Sequence, residues 1–334
     1  MMKCLCCVFV LLFIIVIVEG KKLKIYKISL ETKPKDRWNE IIKEYKEEII
    51  NVIEKTSELV LPILYPSTFI FKNYTINNRI HFKLIELFIL PKLPHQYREE
   101  ITGISKILQR PIGEVLVYNI FYDLISSKEI DQMLPFKSSS VIIQDKENNL
   151  IYQISKFDYL FNESIKNITF IVNFYQNNNL LYTSYHYGGY IGVLSGVKYN
   201  KFSITLNTRE KGHLKDNLKY ILYRQFNSVS LTIRTALEYE NNFEDAILVL
   251  SETPYSVPVS FSITGNKEIE GCVVTSDRYK TLDVKYLNDT FLLSQKEDDS
   301  YLIDGIVNEI NNQLNTTGKV VIDKILGGSY NNTR

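Results

Sequence analysis

The chain is poor in cysteine and histidine, the residues from which disulfide frameworks and most metal sites are built. Of four cysteines in 334 residues, three lie within residues 1–20, and the rest of the chain keeps only Cys272. A single cysteine excludes an intramolecular disulfide, which is unusual but permitted for a secreted chain of this size. Because Cys272 stands beside two valines, we expect it to be a small, buried hydrophobic residue.

The histidines lack the spacing of metal ligands, and no Gly-x-Ser-x-Gly motif accompanies them. They are His81, His95, His186 and His213. No Ser-His-Asp order can be read from the chain either, so we expect no metal, no cofactor and no histidine-based nucleophilic catalysis. The formal net charge is only +1, so nothing indicates a nucleic-acid-binding surface.

Residues 1–20 differ from everything after them. Lys3 precedes an apolar run over residues 4–18, which is short for a membrane span and long enough for a secretory signal. We predict a signal peptide over residues 1–20; the alternative is an uncleaved signal anchor. Six N-glycosylation sequons agree with secretion. They begin at Asn73, Asn162, Asn167, Asn288, Asn315 and Asn331.

The first part of the remaining chain has mainly helical periodicity. Residues 24–30 alternate as a strand does, and residues 36–55 carry an apolar stripe at helical spacing. The stripe faces either the core or a membrane or activator. The apolar residues 59–71, interrupted by two prolines, are either buried or in contact with lipid. Further helices are predicted over residues 80–90, 96–108 and 112–124.

After residue 138 the chain changes to short β-branched and aromatic runs separated by turn clusters. Strands are predicted over residues 141–143, 150–154, 168–175, 180–187, 189–196, 202–208, 257–263 and 272–275. Helices are predicted over residues 214–225, 230–238 and 242–251, the last with Asn242 as its cap. Strands and helices without regular βαβ alternation predict an α+β fold of antiparallel sheets with helices outside them.

A predicted hairpin over residues 137–158 carries the residues of chemical interest. Ser138 begins its first strand, residues 146–149 form a polar turn, and Asp158 follows its second strand. This layout lets a carboxylate at the end of the second strand reach the start of the first strand. An amide hydrolase needs a nucleophile, a base, a carboxylate that positions the base, and donors for the oxyanion.

The chain resembles the acid ceramidase and N-acylethanolamine acid amidase family over most of its length after the signal. The similar segments, in order, are ISL and RW within residues 28–38, PIGE and NIFYDL within 111–124, GYIGVLSG and FSITLN within 189–207, and GCVVTSDR at 271–278. No single motif is decisive, and their order along the chain carries the resemblance.

The resemblance implies an N-terminal-nucleophile hydrolase, with a four-layer αββα sandwich of antiparallel sheets. A helical, alpha-subunit-like segment over residues 21–137 would precede a beta-subunit-like domain over residues 138–334. Such enzymes cut themselves before the nucleophile, whose freed α-amine then serves as base, so no histidine is required. It further implies a self-cleaved two-subunit form, located in the lysosome or secreted.

Transferred by position, the resemblance puts the nucleophile at Ser138, where the family has cysteine, and keeps the carboxylate as Asp158. Ser155 replaces the family's arginine and Thr208 its glutamate, while Gln295 falls near an asparagine that helps to form the oxyanion hole. We therefore expect a lipid amidase that hydrolyses N-acyl lipids at the membrane surface of acidic vesicles. The alternative is a catalytically inactive homologue that binds lipid or an active partner.

Overall fold

The structure of the chain, a computed structural model, describes residues 23–64, 74–127, 137–145, 150–158, 162–209, 211–224, 226–267, 269–287, 293–294 and 300–304. The predicted signal peptide over residues 1–20 lies outside these ranges.

The described residues ahead of the hairpin form one strand and a set of helices. These are β1 (Ile25–Ser29), α1 (Asn39–Glu44), α2 (Lys46–Leu64), α3 (Tyr74–Ile89), α4 (His95–Leu108), α5 (Ile112–Asn119) and α6 (Phe121–Ile125). The strand predicted over residues 24–30 and the helix predicted over residues 96–108 are confirmed as β1 and α4.

The helix predicted over residues 36–55 is interrupted at Tyr45. This residue ends α1 with φ −109° and ψ 25°, and its ring stacks on Phe170 at 5.7 Å between centroids. The apolar stripe of the segment is buried, since Trp38, Ile42 and Ile49 are at most 2% exposed. The stripe therefore belongs to the core, and the alternative that it faces a membrane or activator is wrong.

The described residues from the hairpin onward are mainly strands. They form β2 (Lys137–Asp145), β3 (Leu150–Asp158), α7 (Asn162–Asn167), β4 (Thr169–Gln176), β5 (Asn179–Tyr187), β6 (Ser195–Lys198), β7 (Phe202–Thr208), α8 (Leu214–Tyr223), α9 (Val229–Tyr239), α10 (Phe243–Glu252), β8 (Val259–Gly265), β9 (Gly271–Ser276), β10 (Thr281–Tyr286), β11 (Leu293–Ser294) and β12 (Ser300–Asp304). The cap predicted for α10 is confirmed, because the Asn242 side chain accepts the Asp245 N–H at 2.8 Å.

The strands form two sheets. The large sheet has the order β1-β4-β5-β6-β7-β8-β9-β10, and the small sheet has the order β11-β12-β2-β3. The neighbours run antiparallel except in two pairs, β1 with β4 and β12 with β2, which are parallel. These two pairs depart from the predicted antiparallel arrangement, because β1 and β12 come from distant parts of the chain and are not joined to their neighbours by a hairpin.

Strand β7 shows why the sheets stack as they do. Alternate residues of a strand point to opposite faces. Phe202, Ile204 and Leu206 pack into the main hydrophobic core, to which the helices contribute. Ser203 and Thr205 face the small sheet, where they bond to β3. The predicted α+β fold is confirmed. Of the four predicted αββα layers, the described residues supply three in succession, namely helices, the large sheet and the small sheet.

The strand predicted over residues 189–196 is wrong for most of its length, because only its end belongs to β6. Gly189 has φ 78°, a left-handed conformation that turns the chain. The Asn119 side chain then satisfies this irregular backbone by donating to the Gly189 carbonyl at 2.9 Å and accepting the Ile191 N–H at 2.8 Å. The Val193 N–H bonds to the Ser230 carbonyl at 3.0 Å, away from the large sheet.

Glu100 of α4 is the centre of a buried ion cluster. Its carboxylate accepts hydrogen bonds from Arg37 at 2.7 Å, Trp38 at 2.6 Å, and both terminal nitrogens of Arg234 at 2.6 and 2.8 Å. Burial works to raise the pKa of Glu100, but the charge of Arg234 and these hydrogen bonds hold it below its ordinary value. The cluster joins the N-terminal segment, α4 and α9.

His186 of β5 lies beside this cluster, with its ring centroid 5.2 Å from Trp38 and 5.5 Å from Phe174. Its Nδ1 lies 3.3 Å from the Tyr190 carbonyl oxygen. Burial, followed by the charge of Arg234, lowers the pKa of His186 from 6.5 to about 3. The stability contributed by the neutral ring is fully present above pH 6.5 and is lost as the pH falls towards 3.

Asp123 of α6 has the opposite pH dependence. Its carboxylate accepts the N–H of Val229 at 3.1 Å, at the start of α9, and the hydroxyls of Ser228 at 2.7 Å and Ser256 at 3.1 Å. Burial raises the pKa of Asp123 from 3.8 to about 6, although these hydrogen bonds oppose the shift. Its contribution to stability is fully present below pH 3.8 and is lost as the pH rises through about 6.

We expect His186→Gln to become more stable relative to the unsubstituted protein when the pH is lowered from 7.5 to 4.5, since an amide has no proton to bind. The relative gain is roughly 3 kcal/mol, for about two pH units below the ordinary pKa of histidine. Asp123→Asn is the matched variant of opposite sign, because it should gain when the pH is raised. Thermal unfolding of all three proteins at both pH values measures this, and variant differences that do not change with pH would contradict it.

Candidate active site

Ser138, the predicted nucleophile, lies between the two sheets. β2 begins at Lys137, one residue earlier, and Ser138 pairs with Phe157 of β3. The Ser138 side chain is only 2% exposed. It meets Thr208, the last residue of β7 in the large sheet.

Three hydrogen bonds join Ser138 to Thr208. The backbone N–H of Thr208 donates to Ser138 Oγ at 2.7 Å. The hydroxyl oxygen of Thr208 accepts from the backbone N–H and from the hydroxyl of Ser138, both at 3.3 Å. A backbone N–H aimed at Oγ stabilises negative charge that develops on that oxygen.

The Thr208 N–H reaches Ser138 because the neighbouring strand ends before it. Residues two apart on a strand direct their N–H groups to the same edge, and the Leu206 N–H bonds to the Leu194 carbonyl at 2.9 Å. The next partner along that edge would come from residues 189–193, which turn away towards α9. The local break in the sheet therefore gives Ser138 its donor.

Hydroxyl and amide groups fill the space behind Ser138. Ser140 Oγ lies 2.5 Å from Ser262 Oγ on β8. The amide nitrogen of Asn207 donates to both of these oxygens, at 2.7 and 3.0 Å. All three side chains are fully buried, so these bonds hold the two sheets in a fixed register.

Neutral groups also stand where the family resemblance predicts charge. Ser155, at the position of the family's arginine, donates to Thr205 at 3.1 Å, and the Thr205 hydroxyl lies 3.0 Å from that of Ser195. On the same face of β3, Gln153 donates to the Ser262 carbonyl at 3.0 Å. The described surroundings of Ser138 are therefore largely a network of hydroxyls and amides.

Two of the sequence-predicted site residues are described only in part or not at all. Asp158 is the last residue of β3, and its backbone pairs with Lys137, next to Ser138. The Asp158 side chain and the whole of Gln295 lie outside the described part of the chain. Arg209, which follows Thr208, is buried and donates to the Ser276 carbonyl at 2.9 Å.

The polar layer between the sheets could not be predicted from the sequence. Strands β7 and β8 carry serine, threonine or asparagine at every second position in otherwise apolar runs. This alternation is visible in the sequence, but it also fits a strand with one face in water. What the sequence does not show is that a second sheet covers this face.

An apolar cavity of about 110 Å³ lies between the helices. Its lining includes Leu84 and Phe88 of α3, Leu124 of α6, and Leu218 and Leu222 of α8. Leu84, Phe88 and Leu222 are themselves 37%, 59% and 42% exposed, so the cavity opens on an apolar surface. We call this surface the α3–α8 patch.

Among the described residues, no helix has the length and apolarity that crossing a membrane requires. In the same part of the chain, no three histidine, cysteine or acidic side chains come together as ligands for a metal ion.

Among the sequons, Asn167 is an exposed residue at the end of α7. Asn162 begins the same helix, and its side chain lies outside the described part. Four further predicted sites lie wholly outside the described residues. They are Asn73, Asn288, Asn315 and Asn331.

Comparison with known proteins supports the resemblance seen in the sequence. A family profile described as the beta subunit of N-acylethanolamine-hydrolyzing acid amidase matches residues 21–70. Acid ceramidases of Bos taurus and Homo sapiens are each 29% identical over 278 residues, which is 79% of this chain and 66% of theirs. The N-acylethanolamine-hydrolyzing acid amidase of Caenorhabditis elegans is 28% identical over 282 residues, covering 84% of this chain and 75% of that protein.

The chain thus spans just under two thirds of the length of these acid ceramidases. The solved structure of the Caenorhabditis elegans N-acylethanolamine-hydrolyzing acid amidase (NAAA) ortholog aligns with a TM-score of 0.41 and 30% identity over 45% of this chain and 64% of that one. The similarity to acid ceramidase and N-acylethanolamine acid amidase, expected from the sequence, is confirmed by the sequence matches. The profile match lies wholly before Ser138, in the segment that we expected to be alpha-subunit-like.

We expect an N-glycan at Asn167, because the Asn167 side chain is exposed and the chain carries a predicted secretory signal. Asn167→Gln should raise the electrophoretic mobility of the secreted protein by the amount that corresponds to the mass of one glycan. Asn241→Gln, which changes an exposed asparagine outside any sequon, is the matched control and should leave the mobility unchanged. Identical mobility of both variants after secretion from eukaryotic cells would exclude a glycan at this site.

Proposed function

We propose that this relative of acid ceramidase and N-acylethanolamine-hydrolyzing acid amidase cuts itself between Lys137 and Ser138 and then hydrolyses the amide bond of N-acyl lipids. The observation that supports this most is the setting of Ser138. Ser138 is buried at the start of a strand, and its Oγ accepts a hydrogen bond from the backbone N–H of Thr208. The backbone N–H of Ser138 donates to the hydroxyl oxygen of Thr208.

The cut is proposed as an acyl shift. Ser138 Oγ attacks the carbonyl carbon of Lys137, the bond from that carbon to the Ser138 nitrogen breaks, and the Oγ proton passes to this nitrogen. Water then hydrolyses the resulting ester, which leaves a carboxylate on Lys137 and restores the Ser138 hydroxyl. The product is a chain that begins with Ser138 and carries a free α-amine.

The same residue supplies the proposed lipid chemistry. The α-amine takes the proton of the Ser138 hydroxyl as Oγ attacks the amide carbonyl, and then gives that proton to the departing amine. Water hydrolyses the acyl ester and releases the fatty acid. Asp158, whose backbone lies opposite Lys137, is the proposed carboxylate that positions the amine.

A second candidate function is lipid or partner binding without turnover. It is favoured by Ser155, whose hydroxyl is engaged by Thr205 where the family resemblance predicts an arginine. The resemblance also puts Gln295 near the family's oxyanion-hole asparagine. Loss of one oxyanion-hole donor costs about 3–4 kcal/mol of transition-state stabilisation in hydrolases. An inactive homologue would keep the apolar cavity and remain a single chain.

We expect the secreted protein to convert at acidic pH into two pieces that stay together, the larger beginning with Ser138. N-terminal sequencing of the larger piece identifies the cut. Ser138→Ala should remain a single chain and release no fatty acid from a fluorogenic N-acyl amide. Ser138→Cys should increase both reactions, because a thiol ionises far more readily than a hydroxyl.

Three results decide against this proposal. A single unsubstituted chain after prolonged incubation at acidic pH favours the binding function, as does undetectable amide hydrolysis. Hydrolysis that survives Ser138→Ala would place the reaction elsewhere in the molecule. Asp158→Asn tests the proposed carboxylate and should abolish hydrolysis.

We further propose that the protein meets its lipid at the surface of acidic vesicles through the α3–α8 patch. The side chains of Phe88 and Leu222 are 59% and 42% exposed, and both line the apolar cavity. Exposed apolar clusters of this kind are characteristic of lipid or partner contact. The cavity offers an apolar space into which a few carbon atoms of an acyl chain can enter.

We expect the protein to float with anionic vesicles at about pH 4.5–5, where aspartate and glutamate begin to lose their negative charge. Phe88→Glu and Leu222→Glu should each weaken binding about tenfold, the equivalent of roughly 1.4 kcal/mol of lost apolar contact. Leu248→Glu changes a leucine of similar exposure on α10, away from the patch, and is the matched control. Equal binding by all four proteins would contradict docking through this patch.

A further inference from the structure

Thr208 is the residue that makes all three of the hydrogen bonds described above for Ser138. Two groups of Thr208 contact the two reactive groups of Ser138. Its backbone N–H meets the hydroxyl, and its side-chain oxygen meets the nitrogen that becomes the α-amine. No ion is involved in these contacts.

Each contact has a separate chemical consequence. A serine hydroxyl is a much weaker acid than a thiol, so an N–H donor at 2.7 Å lowers the cost of forming the alkoxide. The Thr208 hydroxyl oxygen, as an acceptor, holds one N–H of the nitrogen and leaves the nitrogen lone pair to face Oγ after the cut. When one residue supplies both nucleophile and base, its amine must lie next to the hydroxyl oxygen and be held in a fixed orientation.

Thr208 is itself held rigidly. It closes the β7–β8 ladder opposite Val259, and the next residue, Arg209, is buried and bonded to the Ser276 carbonyl of β9. The residue before it, Asn207, fastens β7 to the small sheet through Ser140. The backbone of Thr208 is therefore fixed by the large sheet and by the contacts of both neighbouring residues.

We propose that Thr208 is the positioning residue for Ser138, and that it orients the α-amine by its hydroxyl while its N–H supports the developing alkoxide. This inference rests on the proposed function of Ser138 and extends it. In this chain, the neutral hydroxyl of Thr208 positions the α-amine of Ser138, so the site depends on shape and hydrogen bonding more than on charge.

The experiment compares Thr208→Val with Thr208→Ser. Valine keeps the branched shape and the backbone N–H but removes the acceptor, and serine keeps the acceptor. We expect Thr208→Val to slow self-cleavage and to lower kcat for a fluorogenic N-acyl amide about tenfold, with KM unchanged, because valine removes the oxygen that accepts from the Ser138 N–H and hydroxyl. Thr208→Ser should stay within about threefold of the unsubstituted protein on the same scale.

The pH profile separates positioning from a merely structural role. An acceptor on the α-amine stabilises its protonated form, so Thr208→Val should move the acid limb of kcat/KM to lower pH by about 0.5–1 unit. Thr208→Ser should leave this limb in place. A structural defect would lower the unfolding temperature without moving the limb.

The outcomes distinguish this inference from the proposed function. If the unsubstituted protein neither cuts itself nor hydrolyses the amide, the proposed function fails and this inference fails with it. If the unsubstituted protein is active and Thr208→Val matches it in rate and pH profile, only the role of Thr208 is overturned. Should Thr208→Val not fold, Thr208→Ala takes its place, and Thr208→Ala rates equal to those of Thr208→Ser would overturn the inference.

Discussion

The buried carboxylate of Glu100 holds the arrangement on which the rest of the structure depends. Arg234, which donates two hydrogen bonds to it, also donates to the Ile191 carbonyl at 3.0 Å. That contact fixes the loop whose turn leaves the Thr208 N–H without a strand partner, so the donor reaches Ser138. Breaking a buried ion pair of this kind costs about 3–5 kcal/mol. The site between the sheets is therefore secured by an ion cluster on the other face of the large sheet.

The two faces of the large sheet are stabilised by different kinds of interaction. On the helical face, apolar packing surrounds one dense cluster of ions, which is tolerable because each charge has several partners. On the face towards the small sheet, hydroxyls and amides such as Ser140, Asn207 and Ser262 bond to one another without net charge. A neutral polar layer can be closely packed and still admit proton transfer. An apolar layer cannot transfer protons, and an ionic layer carries a larger cost of desolvation.

Much of the fold follows from local sequence, and the site follows from it only in part. Periodicity located β7, α4 and α10 nearly to the residue, because burial of one face is the dominant constraint on each. It failed over residues 189–196, where the β-like pattern GYIGVLSG is overridden by the left-handed Gly189 and the buried Asn119. The partnership of Ser138 with Thr208 joins residues 70 positions apart. Such a contact is determined by how two sheets stack, and no local pattern encodes it.

The parallel pairing of β1 with β4 has a further consequence for a chain cut before Ser138. The smaller piece supplies an edge strand of the large sheet and most of the helices that cover it, so neither piece has a complete core alone. Unfolding of the cut protein would separate two polypeptides, and refolding would become a bimolecular reaction that depends on concentration. Cleavage of one peptide bond would thus make unfolding effectively irreversible at low concentration. The lifetime of the folded, cut protein would then be set by its unfolding rate and not by its free energy of unfolding.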